Sequence, residues 1–576
     1  MNRVKELKPV FDSVMHQDFR ALINYGADAY RGDDAFIIKH KQGKNISYEH
    51  IKFENFRDHV NFLGTALLQK GFAGKRIAII GKNCYEWMLT YFATLCGLGV
   101  SVPLDKGLPL DELESSLQRS RADVLVFDNA HLDLVKTLQE KNSTHVTDFI
   151  AMNPLEGYED ISVLMEKGRS AMAEGFHDYL HLPIDGKATT ILLFTSGTTS
   201  QAKAVQLSQY NITSNVYAML KVQDIRHGDI NMAFLPYHHT FGSTGQVVML
   251  AAGVTTTYCD GLKYLQKNIV EYKVSLFVCV PLLIESIYKK IMVTVKKQGL
   301  EKKVAFGLKL SKALLKVGID VRRKLFKEIL DQLGGNLRYV ISGASAIDPE
   351  ALEGFNNFGI TAVQGYGMTE ASPVLAAENT WQHKTGSIGL SMPGIELAID
   401  QPNEEGIGEL IARGPNIMSG YYENEEETAA VLADGWLHTG DLAYLDKDGY
   451  IFICGRKKNV IVLKNGKNVY PEELEILISN LPYVEETMVF GQPKHHDGDQ
   501  KDLALCAKIV YKPDYMKEAY GTSDAAEIEQ IIKKDIDAIN DELPVYKHML
   551  RVIVTDQPMI KTTTGKVKRH EEVKKM

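Results

Sequence analysis

Ile191-Leu-Leu-Phe-Thr-Ser-Gly-Thr-Thr-Ser-Gln-Ala-Lys203 sets an apolar run directly against a small, hydroxyl-rich turn that ends on a cation. The run has the length of a buried strand. The turn has the composition that closes around a phosphate: Gly197 bends and approaches closely, the hydroxyls of Thr195, Ser196, Thr198 and Thr199 donate or ligate, and Lys203 adds charge. A Walker-A loop needs G-x-x-x-x-G-K-[ST]. Here Ala202 stands where the second glycine belongs and Ala204 follows Lys203, so that reading fails.

Upstream of this stretch the chain alternates helical and extended patterns. Residues 55–70 place Phe56, Val60, Leu63 and Leu67 at helical spacing, and Arg76–Ile80 is a short apolar strand. Residues 85–98 read as helix, 101–104 as extended, 110–119 as helix and 123–127 as strand. Downstream, 231–235, 276–280 and 337–341 are further apolar strands. This rhythm predicts a parallel sheet covered by helices. From Ser387 to Ile453 shorter strands alternate with Gly, Pro and Asn turns, which predicts an antiparallel or barrel-like segment. A compact pattern follows, with a helix over 527–540 and a strand over 550–554. The fold class is therefore α/β, with a large N-terminal domain of mixed and parallel sheets plus a barrel-like segment, and a small α+β C-terminal domain. The boundary is expected on the turn at Arg456–Lys458, dividing the chain into 1–455 and 456–576.

A chain of 576 residues exceeds one hydrophobic core, which agrees with two domains. A formal charge of −8 argues against nucleic acid as a bulk partner. The six cysteines are scattered without a C-x-x-C pair, so neither a disulfide framework nor a zinc site is expected. Residues 1–19 lack a signal-peptide core, and no apolar stretch reaches the ~20 residues that span a bilayer. A cytoplasmic, non-spanning protein is the expectation. Residues 289–327 carry about 13 Lys and Arg against two acids, interleaved with apolar residues. One reading is a peripheral contact with anionic lipid at the inner face of a membrane. The plainer one is a solvated helix pair, broken at Gly299, Gly307 and Gly318, whose apolar faces pack on the domain.

Other fragments complete the chemistry of a polyphosphate site. Gly365-Tyr-Gly-Met-Thr-Glu370 offers an aromatic face, close-approach glycines, a hydroxyl and a carboxylate able to hold Mg²⁺. Thr439-Gly-Asp441 places an acceptor for ribose hydroxyls in a tight turn, Gly455-Arg456 adds a planar donor fork, and Lys561-Thr-Thr-Thr-Gly-Lys566 adds a lysine near the C-terminus. Backbone donors, hydroxyls, a carboxylate and a fixed cation together point to a nucleotide-consuming enzyme.

In these motifs, and in Trp436 to Glu475 and Pro558 to Arg569, the chain resembles the adenylate-forming superfamily from about residue 45 to its end. It is most similar to long-chain fatty acid–CoA ligases, because Leu235-Pro-Tyr-His-His-Thr-Phe-Gly242 resembles their acyl-site motif. The resemblance implies ATP, Mg²⁺ and coenzyme A as cofactor and co-substrates, and a carboxylic acid as substrate. It places the β- and γ-phosphates on Thr195–Thr199 with Lys203. Adenine falls beside Tyr366, Gly365, Gly367 and Gly343-Ala344, and ribose on Asp441 and Arg456. Thr369 and Glu370 serve the α-phosphate, and Glu370 and Thr195 the metal. Lys566 is the adenylation lysine, Lys458 the hinge of a mobile C-terminal domain, and Lys464, Gly466 and Lys467 a loop on the coenzyme A side. His238, His239 and Phe241 line the acyl site. Ser200, Ala202 and Ala204 depart from the usual G-x-P-K-G of the loop, which changes its expected mobility and closure rate. Two other readings stay open: loading of a carrier-protein phosphopantetheine, and a catalytically weak lipid-binding protein docked by residues 289–327. Oligomeric state is open too, a homodimer included.

Overall fold

The computed structural model describes residues 1–195, 202–494, 502–561 and 567–575. Two large sheets form its body, and alternate residues of their strands face different cores, as the two-residue period of a strand demands. Ile77 and Ile79 of the strand Arg76–Ile80 join Val124 and Val126 in the central core, while Ala78 and Ile80 join Leu125 and Phe127 on the opposite side. Strands covered on both faces in this way are continuously apolar, which is why they were readable as short runs.

The first sheet has eight strands in the order 420–421, 203–208, 189–195, 100–104, 76–80, 124–127, 148–151 and 159–160. Its interior is parallel, and Lys203–Ser208 turns back antiparallel on Thr189–Thr195. The second has nine, with parallel strands Asp34–Gln42, Thr255–Tyr258, Ile230–Ala233, Leu276–Cys279, Tyr339–Ser342 and Thr361–Gly367, and antiparallel strands at both edges. The central core gathers residues of both sheets with the helices Phe19–Ala29, Phe53–Gln69, Tyr85–Ala93, Gln209–Val222 and Thr240–Ala251. A third, six-stranded sheet is antiparallel, as residues 387–453 predict. It also takes in Asn2–Arg3, paired with Ile399 and Ala398.

After the turn Lys457–Asn459 the chain builds a separate core. A short hairpin pairs Ile461–Val462 with Asn468–Val469, and three strands, 484–493, 503–511 and 549–555, form a small sheet. Ile528, Ile532 and Ile536 recur every fourth residue on the helix Ala525–Asp541 and fill this core with Leu474, Ile478 and Ile509.

Two expectations are corrected. The helix beginning at Tyr85 ends at Ala93, and Thr94–Leu98 is a wider turn broken at Gly97, whose φ of +102° no helix accommodates. In the basic segment, Gly299 and Gly318 do end helices at positive φ, but Gly307 lies inside the helix Glu301–Leu315. Phe326 lies against its bare backbone, 3.3 Å from where a Cβ would stand, so this glycine serves packing and not termination. Among the described residues, no helix is long and apolar enough to cross a membrane.

Candidate functional site

Parallel strands deliver their loops to one edge of a sheet. Ser101 lies opposite Ile191, so the strands Val100–Leu104 and Thr189–Thr195 bring Asp105 and Thr195 to the same edge. Thr195 pairs with Lys203 across the hairpin, and its Oγ1 donates to the Lys203 carbonyl at 3.3 Å. Of the residues between them, Ser196, Gly197, Thr198, Thr199, Ser200 and Gln201 lie outside the described residues. The Lys203 ammonium sits 2.5 Å from Glu427 Oε2 and 4.9 Å from the centre of the Tyr421 ring.

Tyr421 then reaches a second motif. Its hydroxyl donates to Glu370 Oε1 at 2.8 Å, and the Met418 amide donates to the Glu370 carbonyl. Burial, and then the Glu370 carboxylate, push the Tyr421 phenol well above its usual range, so it stays a donor. Thr369 and Glu370 occupy a short turn after the strand Thr361–Gly367. That turn folds back on its own strand: a Cβ on Gly367 would stand 1.8 Å from the Pro373 carbonyl. The carboxylate of Glu370 and the hydroxyl of Thr195 are hard oxygen donors of the kind Mg²⁺ takes. Tyr421 was not singled out from the sequence. The signal available was an aromatic pair, Tyr421-Tyr422, at the end of a Gly-Pro-Asn-rich stretch that otherwise reads as surface turn.

A third group forms by strand pairing. Asp441 and Arg456 are cross-strand partners, and Arg456 Nε lies 2.7 Å from Asp441 Oδ1. Tyr366 donates its hydroxyl to Asp441 Oδ2 at 2.5 Å. Burial first, and Asp441 second, hold the Tyr366 phenol protonated far above its ordinary range. Each carboxylate oxygen thus has a charged or hydroxyl donor, and a carboxylate is an acceptor of the kind that ribose hydroxyls need. Gly365 continues the same strand as Tyr366. Gly343 follows the neighbouring strand, and the next residue, Ala344, has φ +77°. The missing side chain of Gly343 admits the Phe241 ring, 3.0 Å from its would-be Cβ, and the Gly365 carbonyl lies 3.4 Å from the same point. Phe241, expected on the acyl side, therefore touches the glycines expected on the adenine side.

His238 and His239 end the turn that leads into the helix Thr240–Ala251. Their rings are 4.3 Å apart, and His238 Nε2 lies 3.3 Å from Asp105 Oδ1. Burial, then His239, push the His238 pKa down to about 3 against the pull of Asp105, so the imidazole is neutral. Beside them Phe234, Leu235, Tyr237, Phe241, Gln246 and Met249 line a partly open pocket of about 20 Å³, room for one water.

The remaining predicted residues belong to the C-terminal part. Lys458 sits in the turn Lys457–Asn459, whose neighbours are anchored by Lys457 to Glu409 at 2.9 Å and Asn459 to Glu472 at 2.6 Å. Lys464, Gly466 and Lys467 form the tip of the hairpin, Gly466 at φ +78° and the Lys467 ammonium 5.7 Å from the Tyr546 ring centre. Lys566 lies outside the described residues. On either side of it, Lys561 pairs with Val567 and forms an ion pair with Glu486 at 2.6 Å, and Arg569 binds Glu475.

Comparison with known proteins places this arrangement. Residues 458–576 match the AMP-binding enzyme C-terminal domain. The long-chain-fatty-acid–CoA ligase FadD15 of Mycobacterium bovis is 29% identical over 439 residues, covering 73% of this chain and 72% of that protein. The peroxisomal long chain acyl-CoA synthetase 6 of Arabidopsis thaliana is 28% identical over 488 residues, covering 79% and 67%. Among solved structures, the anthranilate CoA ligase AuaEII in complex with anthranoyl-AMP superposes with a TM-score of 0.74 at 19% identity, covering 98% of both chains. A Mycobacterium tuberculosis fatty acyl CoA synthetase superposes at 0.65 and 20%, covering 97% of this chain and 98% of that one. Those structures share the fold. The stretch from residue 27 to 422, which holds Thr195, Lys203, Glu370 and the tyrosine that ties them together, matches the AMP-binding enzyme family throughout, and the chain belongs to that family.

Proposed function

We propose that the protein is an ATP-dependent ligase that activates a medium- to long-chain fatty acid as its acyl-adenylate and transfers it to coenzyme A, releasing pyrophosphate and AMP. The carrying observation is Tyr421, which holds Glu370 by hydrogen bond while its ring faces the Lys203 cation at the base of the loop. Carboxylate and cation are thereby fixed at one edge before any substrate arrives, which is electrostatic preorganisation.

Attack of a carboxylate on an α-phosphate brings two anions together, so positioning and charge stabilisation must do most of the work. Asp441 and Arg456 orient the ribose, and Tyr366 keeps Asp441 aimed. Thr369 donates to the α-phosphate. Glu370 and Thr195 would hold Mg²⁺, which would supply neutralisation of phosphate charge. Lys566 donates to the acyl carboxylate and bridging oxygen, and the C-terminal domain, turning at Lys458, withdraws it so that the thiol can enter past Lys464–Lys467. Phe241, packed on Gly343, stands between the expected acyl and adenine sides, where the two halves of the acyl-adenylate would join.

Fatty-acid-dependent pyrophosphate release with Mg-ATP, with and without coenzyme A, tests the reading across acids from acetate to oleate. Sustained turnover requiring coenzyme A is expected, with a maximum at one chain length. A burst that stops at one equivalent in both conditions would point to a carrier-protein acceptor instead.

A peripheral membrane contact has its own support. Leu282, Phe306 and Val317 are 72%, 68% and 70% exposed on or beside the two long helices of the basic segment. Apolar side chains in a cationic surface suit anionic lipid. Co-sedimentation with phosphatidylserine vesicles should be saturable and should weaken with salt; no binding, or salt-independent binding, removes the contact.

A further inference from the structure

Asp105, His238 and His239 converge from the two large sheets. Asp105 directly follows the strand Val100–Leu104 of the eight-stranded sheet. The two histidines follow Ile230–Ala233 of the nine-stranded one. One ligand atom from each of the three lies within 4.8 Å of the other two. We propose that these three residues hold a single divalent cation of the zinc class, at a site separate in chemistry from the magnesium donors Glu370 and Thr195.

The donor set decides the class of ion. Two imidazoles and one carboxylate are the ligands of zinc and neighbouring transition metals, whereas Mg²⁺ prefers oxygen alone. A tetrahedral ion with bonds of about 2.1 Å holds its ligands roughly 3.4 Å apart. His238 Nε2 and Asp105 Oδ1, at 3.3 Å, already have that separation. His239, whose side chain does not cap the helix it begins, brings a ring nitrogen within 4.8 Å of both. Asp105 is oriented by the Gly107 amide, which donates to its Oδ1 at 2.8 Å. Such outer support is what fixes a ligating carboxylate. His238 is buried and His239 and Asp105 are partly exposed, so an ion has an entry path and a coordination position left for water or an oxyanion. The ordinary alternative is a metal-free hydrogen bond between His238 and Asp105.

The site does not depend on the ligase reading, because ion binding is measured without substrate. Untagged full-length protein, stripped with a chelator and free of nucleotide, is titrated with Zn²⁺ against a competing indicator and with Co²⁺ by visible absorption. One equivalent should bind, and Co²⁺ should give the intense visible bands of a four-coordinate site. Zn²⁺ should raise the melting temperature, because the ion ties two sheets together. Asp105→Asn and His239→Ala, both at partly exposed positions, should each weaken binding by about tenfold or more, while the stripped proteins melt as the parent does. Magnesium at millimolar concentration should not displace the ion. Absence of a saturable equivalent overturns the proposal, as does an affinity or a Co²⁺ spectrum unchanged in both variants. Should one variant not fold, the other and the parent spectrum decide it.

Discussion

Tyr421 is the residue on which two motifs meet, and its contribution can be isolated. A hydrogen bond to a charged group is worth about 1.5–3 kcal/mol. Tyr421→Phe keeps the ring against Lys203 but releases Glu370, so ATP–pyrophosphate exchange should fall by about 10- to 100-fold with little change in melting temperature. The fall should be partly relieved by excess Mg²⁺ if Glu370 serves the ion, which an exchange assay against Mg²⁺ concentration reads. Glu378 illustrates a different residue effect. It is buried at the end of the strand Val374–Ala377 and accepts from the amides of Lys384 and Gln364. Burial raises its pKa to about 7 in spite of those donors. The folded state therefore holds this proton more tightly than the unfolded state. Its stabilising effect is full below the unfolded value near 4.5 and is lost as pH rises through about 7. Melting curves between pH 5 and 8 should show stability declining relative to Glu378→Gln; parallel curves would exclude the effect. Asp441, Arg456 and Glu370 stood out as candidates because each lies in a short motif with a chemical reason. Tyr421 was not, since its partner is 51 positions away and only the fold supplies the encounter.

Elements were legible where their periodicity was strong, and less so where packing overrode local preference. The strand Arg76–Ile80 and the helix starting at Leu110 were read within a residue or so. Gly307 was misread because a glycine that ends a helix and one that lets a neighbour approach look alike in sequence; Phe326 makes the difference. Gly367 shows the second use at the site itself. The turn bearing Thr369 and Glu370 rests so closely on its strand that a methyl group would overlap the Pro373 carbonyl. Gly367→Ala should shift that turn, costing about 1–3 kcal/mol of stability and a larger share of activity. A variant with native melting temperature and native turnover would show that the turn yields freely.

Across the whole molecule, the ligase chemistry requires one lysine to be present for the first step and absent for the second. Lys566→Ala should abolish acyl-adenylate formation while leaving thioester formation from supplied acyl-adenylate largely intact; loss of both half-reactions together would refute that assignment. The antiparallel sheet and the separate C-terminal core were anticipated by composition shifts, whereas strand order and the inclusion of Asn2–Arg3 in a distant sheet were not, because pairing partners leave no local trace. Gly455 gives the same architecture a mechanical reading. A Cβ there would stand 2.4 Å from Glu472 Oε2, across the boundary expected between the two domains. The nearest atom is the far end of a glutamate side chain, so a methyl here is met first by movement of Glu472, whose Oε1 accepts from Asn459 in the turn Lys457–Asn459. Gly455→Ala should therefore loosen that side-chain clasp, and amide exchange in the turn should quicken while each core keeps its own fold. Unchanged exchange would mean that Glu472 yields without releasing the turn.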